Sequence, residues 1–266
     1  MNYQKLLLDN FKYKTSYIAR HAQGMCVKET NTYIAVDCGL PADTFNIITL
    51  LNNNLTEGSE KLYEEIERYN QKNFPMCVWL WDEEHVQTIK SGLITLGLKE
   101  VEHNIAMVAD LETLHPIIGM PVNFKIKQAS SPGQIKRFGE TLADLFGTSE
   151  EGINVQAFYN QVSSLDLWNS ENMKLYLGLY KDEVVSVGSL VCTKDSVGIY
   201  DIATKEGMRG QGFGSTMFNF LLQEAKKLKA TKCVLQASPD GINIYKKSGF
   251  QSVGQMTVFE NRDSIK

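Results

Sequence analysis

Arg209-Gly210-Gln211-Gly212-Phe213-Gly214 is the stretch from which the fold is read. Val197 to Thr204, before it, has the apolar content of a strand. Ser215 to Lys229, after it, has helical spacing, with Met217, Leu221, Ala225 and Leu228 on one face. A strand, a glycine-rich turn and a helix start make an anion site. The first helical amides have no intrahelical acceptor, and the helix dipole adds partial positive charge there. Glycine lets the backbone come close to a phosphate and take positive φ. Arg209 adds a permanent cation with a planar fork of donors. The residues predict a pyrophosphate cradle made by the amides from Arg209 to Ser215.

Two nucleotide motifs are excluded. No Gly-x-x-x-x-Gly-Lys-Ser/Thr run occurs. The dinucleotide pattern needs a third glycine or alanine where Ser215 stands, and an acid about 20 residues on, where the chain reads Lys229-Ala230-Thr231-Lys232. Arg-x-x-Gly-x-Gly does fit, at Arg209, Gly212 and Gly214. Further on, Cys233 to Ser238 reads as a buried strand. Ser238 and Pro239 read as a helix N-cap and first turn, Tyr245 lies on that helix, and Gly249-Phe250 closes it before a last strand to Phe259. These two signatures, in this order, resemble the GNAT N-acetyltransferase superfamily from Val122 to the C-terminus. The resemblance implies an α+β fold, a mostly antiparallel mixed sheet flanked by helices. It implies acetyl-coenzyme A as cosubstrate, with no metal. The backbone of Ile202, Ala203 and Thr204 would meet the pantetheine arm, and Arg209, Gly210, Gln211, Gly212, Phe213, Gly214 and Ser215 would hold the pyrophosphate. Ser238 would stand where many members carry an Asn that contacts the cofactor arm, and Tyr245 would lie near the sulfur as general acid. The reaction implied is direct attack of an amine on the thioester. The alternative is a non-catalytic acyl-coenzyme A-binding module.

The resemblance leaves a gap. In members with a glutamate base on the strand before the cradle, the matching position here is Gly198. Asp201 and Glu206 are nearby, but strict alternation sends Asp201 to the face opposite Tyr200 and Ile202.

The first half echoes the second. Met76 to Trp81 reads as a strand, Glu83 to Leu96 as a helix, then come Gly97-Leu98 and a strand to Val108. Upstream, Gln4 to Lys14 reads as a helix, Met25 to Glu29, Thr32 to Asp37 and Asp43 to Leu51 as strands, and Glu60 to Asn70 as a helix. The pattern predicts two tandem GNAT-like domains, 1–120 and 121–266, divided at His115-Pro-Ile-Ile-Gly-Met-Pro121. The first is degenerate: between Leu51 and Lys72 the only glycine is Gly58, and no Arg-x-x-Gly-x-Gly occurs. In the second, helices are expected at Pro132 to Phe146 and Asn154 to Trp168. Their aromatics Phe146, Phe158, Tyr159 and Trp168 suit either an acceptor pocket or a core.

Composition bounds the rest. The 266 residues carry a net charge of −4, against a nucleic-acid footprint, and no apolar run of membrane-spanning length. A cytoplasmic protein acting on a small-molecule or peptide amine is the expectation, with no oligomeric state specified. Residues 1–120 hold 10 Lys/Arg against 16 Asp/Glu, and the remainder 17 against 15. That asymmetry suits either a cationic substrate at the junction or a solvated acidic face. Cys26, Cys38, Cys77, Cys192 and Cys233 are odd in number and read as free thiols. The four histidines have no zinc-ligand spacing.

Overall fold

In the computed structural model, residues 2–51, 59–81, 83–114, 119–167, 170–228, 230–239 and 241–265 are described, without the side chains of 83–86 and 88. The predicted linker residues 115–118, the first residue of the acidic helix start, 82, and Trp168 lie outside them. Helix α1 (Tyr3–Tyr17) opens the chain, its N-cap Asn2 accepting from the Lys5 amide at 3.1 Å. Strands β1 (Cys26–Glu29), β2 (Tyr33–Asp37) and β3 (Ile47–Leu50) follow, then α2 (Ser59–Gln71), β4 (Cys77–Leu80), α3 (Glu83–Thr95) and β5 (Lys99–Asp110). The second half comprises β6 (Phe124–Gln128), α4 (Pro132–Ala143), α5 (Glu150–Val162), β7 (Met173–Tyr180), β8 (Glu183–Cys192), β9 (Ser196–Thr204), α6 (Phe213–Lys226), β10 (Lys232–Ala237), α7 (Ile242–Lys247) and β11 (Gln251–Glu260).

Three departures from the sequence reading have local causes. The run from Asp43 becomes strand only at Ile47, because buried Asn46 is tied to a loop: its carbonyl accepts from the Cys38 amide, and its amide donates to the carbonyls of Leu40 and Pro75. Helix α5 starts at Glu150 rather than Asn154. Ser149 caps it by accepting from the Gly152 amide, and Glu150 and Glu151 face the positive end of the dipole. Helix α7 starts at Ile242 rather than Pro239. Ser238 closes a turn first, its carbonyl and hydroxyl oxygens both accepting from the Gly241 amide.

The eleven strands among the described residues form one sheet, in the order β1-β2-β3-β4-β11-β5-β10-β9-β8-β7-β6. Each half contributes an antiparallel meander and then one parallel pair, β3–β4 in the first and β9–β10 in the second. The last strands are exchanged. β11 lies between β4 and β5, while β5 lies between β11 and β10, antiparallel to its neighbours throughout. The helix ends before these strands match as well. Gly97 and Gly249 both take positive φ, and the next amide bonds five residues back, Leu98 to Leu93 and Phe250 to Tyr245, at 3.0 Å each.

Helix α1 crosses to the other half through a fully buried asparagine. The Asn10 amide donates to the Val191 carbonyl and to the Ser196 carbonyl and hydroxyl. Its own carbonyl accepts from the Tyr200 hydroxyl at 2.8 Å. Every polar atom is satisfied, as burial requires. α6 packs on the opposite face of the same strands through Met217 and Leu221, in one cluster with Leu235 and Phe250 and with Tyr245 of α7.

Candidate active site

The cradle is built by the end of β9 and the start of α6. A 3₁₀ turn at Glu206–Met208 leads into Arg209, whose Nε donates to the Thr204 carbonyl at 3.1 Å and ties the turn to the strand. Gly210 and Gly212 have φ of +76° and +84°, and a Cβ on either would meet no atom within 4 Å. Conformation rather than crowding demands glycine there. Gly212 caps α6, and the first helical bond runs from the Thr216 amide to its carbonyl. The amides of Phe213, Gly214 and Ser215 precede that bond and face outward unpaired by the helix. Phe213 is buried against Phe124 and Tyr180, so its ring anchors the helix and only its amide is on offer. Gly214, in the first turn of α6, packs close against the end of β9: a Cβ there would come within 3.1 Å of Thr204 Oγ1. Exposed Gln211 reaches back to the Gly207 carbonyl.

β9 and β10 pair only from Ser196–Gly198 against Lys232–Val234 and then part. Ile199–Thr204 continues along β8 alone, leaving its other edge unpaired by β10. Two pockets open on this gap. One, of about 440 Å³, lies over the cradle, with Ile202, Thr204, Arg209, Gly210, Gly212 and Tyr245 in its walls. The other is a cleft of about 630 Å³, which shares Ile202 and Tyr245 and adds Ser238. Ala203 joins neither. It is buried, and its carbonyl accepts from the Ser186 hydroxyl.

Tyr245 is half-buried, edge-on to Phe218 and Phe250. Burial raises its pKa, which keeps the hydroxyl protonated, and that hydroxyl has no hydrogen-bond partner among the described residues.

Asp201 requires a correction. It has φ of +55°, and Gly188 stands opposite an extra residue of β9. The bulge breaks alternation, so Asp201 faces α1 together with Tyr200, while Ile202 turns toward α6. Asp201 accepts from the Ser189 hydroxyl at 2.7 Å and pairs with Lys14 of α1 at 3.2 Å. The position expected for a base, Gly198, is filled from outside. A Cβ there would lie 2.2 Å from Asn10 Oδ1 and 2.3 Å from the Tyr200 ring.

The far part of the cleft comes from residues that the sequence reading did not join to the site: Asp43, Cys77, Trp79, Glu102 and Glu260. Strand exchange brings them there, and no spacing in the chain signals it. Asp43, Cys77 and Glu260 place ligand atoms within 4.8 Å of one another, but Arg262 Nε already sits 2.5 Å from Asp43. Burial raises the pKa of Asp43, with Glu151 adding to the shift, and likewise that of Glu260, with Asp43 adding to it. Phe158 and Tyr159, each 3% exposed, belong to the core, and Phe158 stacks on Phe45 at 3.7 Å. The five cysteines are free, with Cys38 pushed up to about 12 and Cys192 to about 11 by burial. No described helix is long and apolar enough to cross a membrane.

Residues 146–264 match the family described as acetyltransferase (GNAT) domain. No curated protein matches by sequence. Among solved structures, a GCN5-related N-acetyltransferase from Kribbella flavida superposes with a TM-score of 0.69 at 11% identity, over 96% of this chain and 95% of that one. A functionally unknown conserved protein from Staphylococcus epidermidis gives 0.62 at 16%, over 93% and 96%. A tandem GNAT protein from the clavulanic acid biosynthesis pathway gives 0.60 at 9%, over 94% and 86%. Residues 146–264 are thus similar to a GNAT acetyltransferase domain, and the whole course of the chain follows the fold seen in the GCN5-related N-acetyltransferases.

Proposed function

We propose that the chain transfers an acetyl group from acetyl-coenzyme A to an amine in a ternary complex. The observation that carries this reading is that Ile202 and Tyr245 line both the pocket over the glycine cradle and the acidic cleft. A thioester laid along the free edge of β9, with its pyrophosphate on the amides from Arg209 to Ser215, would present its carbonyl where the two spaces meet. Left-handed glycines with open space above them fit that ligand. The amine lone pair attacks the carbonyl carbon, a C–N bond forms and the C–S bond breaks. The Tyr245 hydroxyl protonates the departing thiolate. Asp201, next in the chain to Ile202 and held by Ser189 and Lys14, receives the proton lost by nitrogen, directly or through water.

A second reading, an acyl-coenzyme A-binding module without turnover, is favoured by the filled position at Gly198. Thiol release from acetyl-coenzyme A across a panel of amines separates the two, since a binding module releases none. In the enzyme, Tyr245→Phe should lower kcat by about a hundredfold with KM for acetyl-coenzyme A little changed. Full turnover with a lowered melting temperature would make Tyr245 a packing residue.

A further inference from the structure

The cleft beyond Tyr245 holds more negative charge than one proton transfer needs. Asp43, Glu102, Asp201 and Glu260 line it, and Lys14 is the one cation among its lining residues. Lys14 is committed to Asp201. Arg262 is shared: its Nε sits 2.5 Å from Asp43, its Nη2 donates to Glu151 at 2.7 Å, and Glu260 is 4.0 Å away. Glu102 has no ion pair among the described residues. The raised pKa values of Asp43 and Glu260 have the same origin, burial with too little countercharge. The wall beside these acids is aromatic. Trp79 packs 4.8 Å from Phe11, and ring faces attract cations. Register places the groups side by side: Val258 of β11 pairs with both Trp79 and Glu102, and Glu260 pairs with Cys77. β11 lies two strands from β10, roughly 10 Å across the sheet. A single ammonium at Tyr245 would leave that far wall uncompensated.

We infer that the acceptor is a linear aliphatic diamine or polyamine. One nitrogen lies at the Tyr245 end, and a second, protonated nitrogen sits among Glu102, Glu260 and the face of Trp79. The inference rests on the reading of the cleft as the acceptor side of an acetyl transfer. Its test uses the full-length chain, with α,ω-diaminoalkanes of about three to eight carbons, a range set by that roughly 10 Å span. The monoamine and the amino alcohol of matched length serve as controls. Binding is read by calorimetry and transfer by thiol release. The best diamine should show a KM at least about tenfold below its matched monoamine. Glu102→Gln and Glu260→Gln should each remove about threefold or more of the diamine's advantage and change the monoamine much less, as expected for loss of one contact to the second nitrogen. Diamine binding without thiol release would support the cation subsite while ending the transfer reading. Equal KM for diamine and monoamine would keep the transfer reading and overturn the inference. A diamine preference that survives in the double variant, or no binding and no transfer with any probe, would overturn it as well.

Discussion

The parallel pairs β3–β4 and β9–β10 occupy matching places in the two halves, and they end differently. β3 pairs with β4 from Ile47 to Thr49 and stops at Leu50, one residue past its last partner. β9 pairs with β10 through Gly198 and runs on to Thr204. The second half therefore has an open strand edge leading to a cradle of left-handed glycines. Among the described residues the first half has no such run of edge. The stretch of sequence after β3, 52–58, lies outside the described residues; it contains no arginine and a single glycine. The helix-closing glycines Gly97 and Gly249 are equivalent, and so are the strands that follow them. What the halves share is what the sheet needs for closure; what they do not share is what a phosphate and a pantetheine arm need.

The largest effect should come from the cradle. Acetyl-coenzyme A titrated into the full chain should bind once per chain. Gly212→Val should weaken that binding by more than about a hundredfold, because a β-branched residue cannot hold the left-handed cap and its side chain fills the space over the amides. Calorimetry with circular dichroism on the same sample checks both affinity and fold. A second equimolar binding event, or one that survives in Gly212→Val, would place a working site in the first half and break the comparison.

The next effect concerns the lock between halves. Asn10→Ala removes the donor to Val191 and Ser196 and leaves the Tyr200 hydroxyl buried without its acceptor. The loss should be about 2–3 kcal/mol in chemical denaturation, the cost of stranding buried polar groups. An unchanged midpoint would mean that α1 only rests on the second half and that the exchanged strands alone join the two.

The second half was legible because its signals are local. Arg209, Gly212 and Gly214 announce the cradle, and Gly249-Phe250 announces the end of α7. The matching order of elements before Gly97 and Gly249 was legible through the same glycine punctuation. The exchange of β5 and β11 was not, since nothing in a strand's own alternation names its neighbour. For the same reason the cleft's far wall, from Trp79, Glu102 and Glu260, could not be assembled from spacing. Asp201 was misplaced because alternation assumes a regular strand, and a single positive φ undoes it. Gly198 read as a missing base, and only the packed structure supplies the reason, the oxygen of Asn10 standing where a side chain would go.

The smallest effect sharpens the comparison through two carboxylates. Asp37, at the end of β2, is desolvated by burial, but Lys72, the Gly39 amide and Arg68 together outweigh that and lower its pKa. Glu260, on the exchanged strand in the cleft, is raised above its ordinary 4.5, by burial first and then by Asp43. The signs of linkage are opposite. For Asp37 the unfolded chain binds the proton more tightly, so its contribution is present above the unfolded pKa and is lost as pH falls through the folded one. For Glu260 the folded chain binds the proton more tightly, so stability falls as pH rises from the unfolded value through the folded one. Asp37→Asn should therefore lower Tm at neutral pH, by a margin that shrinks in acid. Glu260→Gln should raise Tm by a few degrees at about pH 7 and change little below about pH 4, where glutamic acid and glutamine are both neutral. Melting curves of the two variants across that range decide the matter. A carboxylate kept at a cost to stability in a cleft is one retained for a ligand, as stability and function trade at sites. If Glu260→Gln instead lowered Tm at neutral pH, Glu260 would be a structural partner of Arg262, and the cleft's charge would belong to the fold.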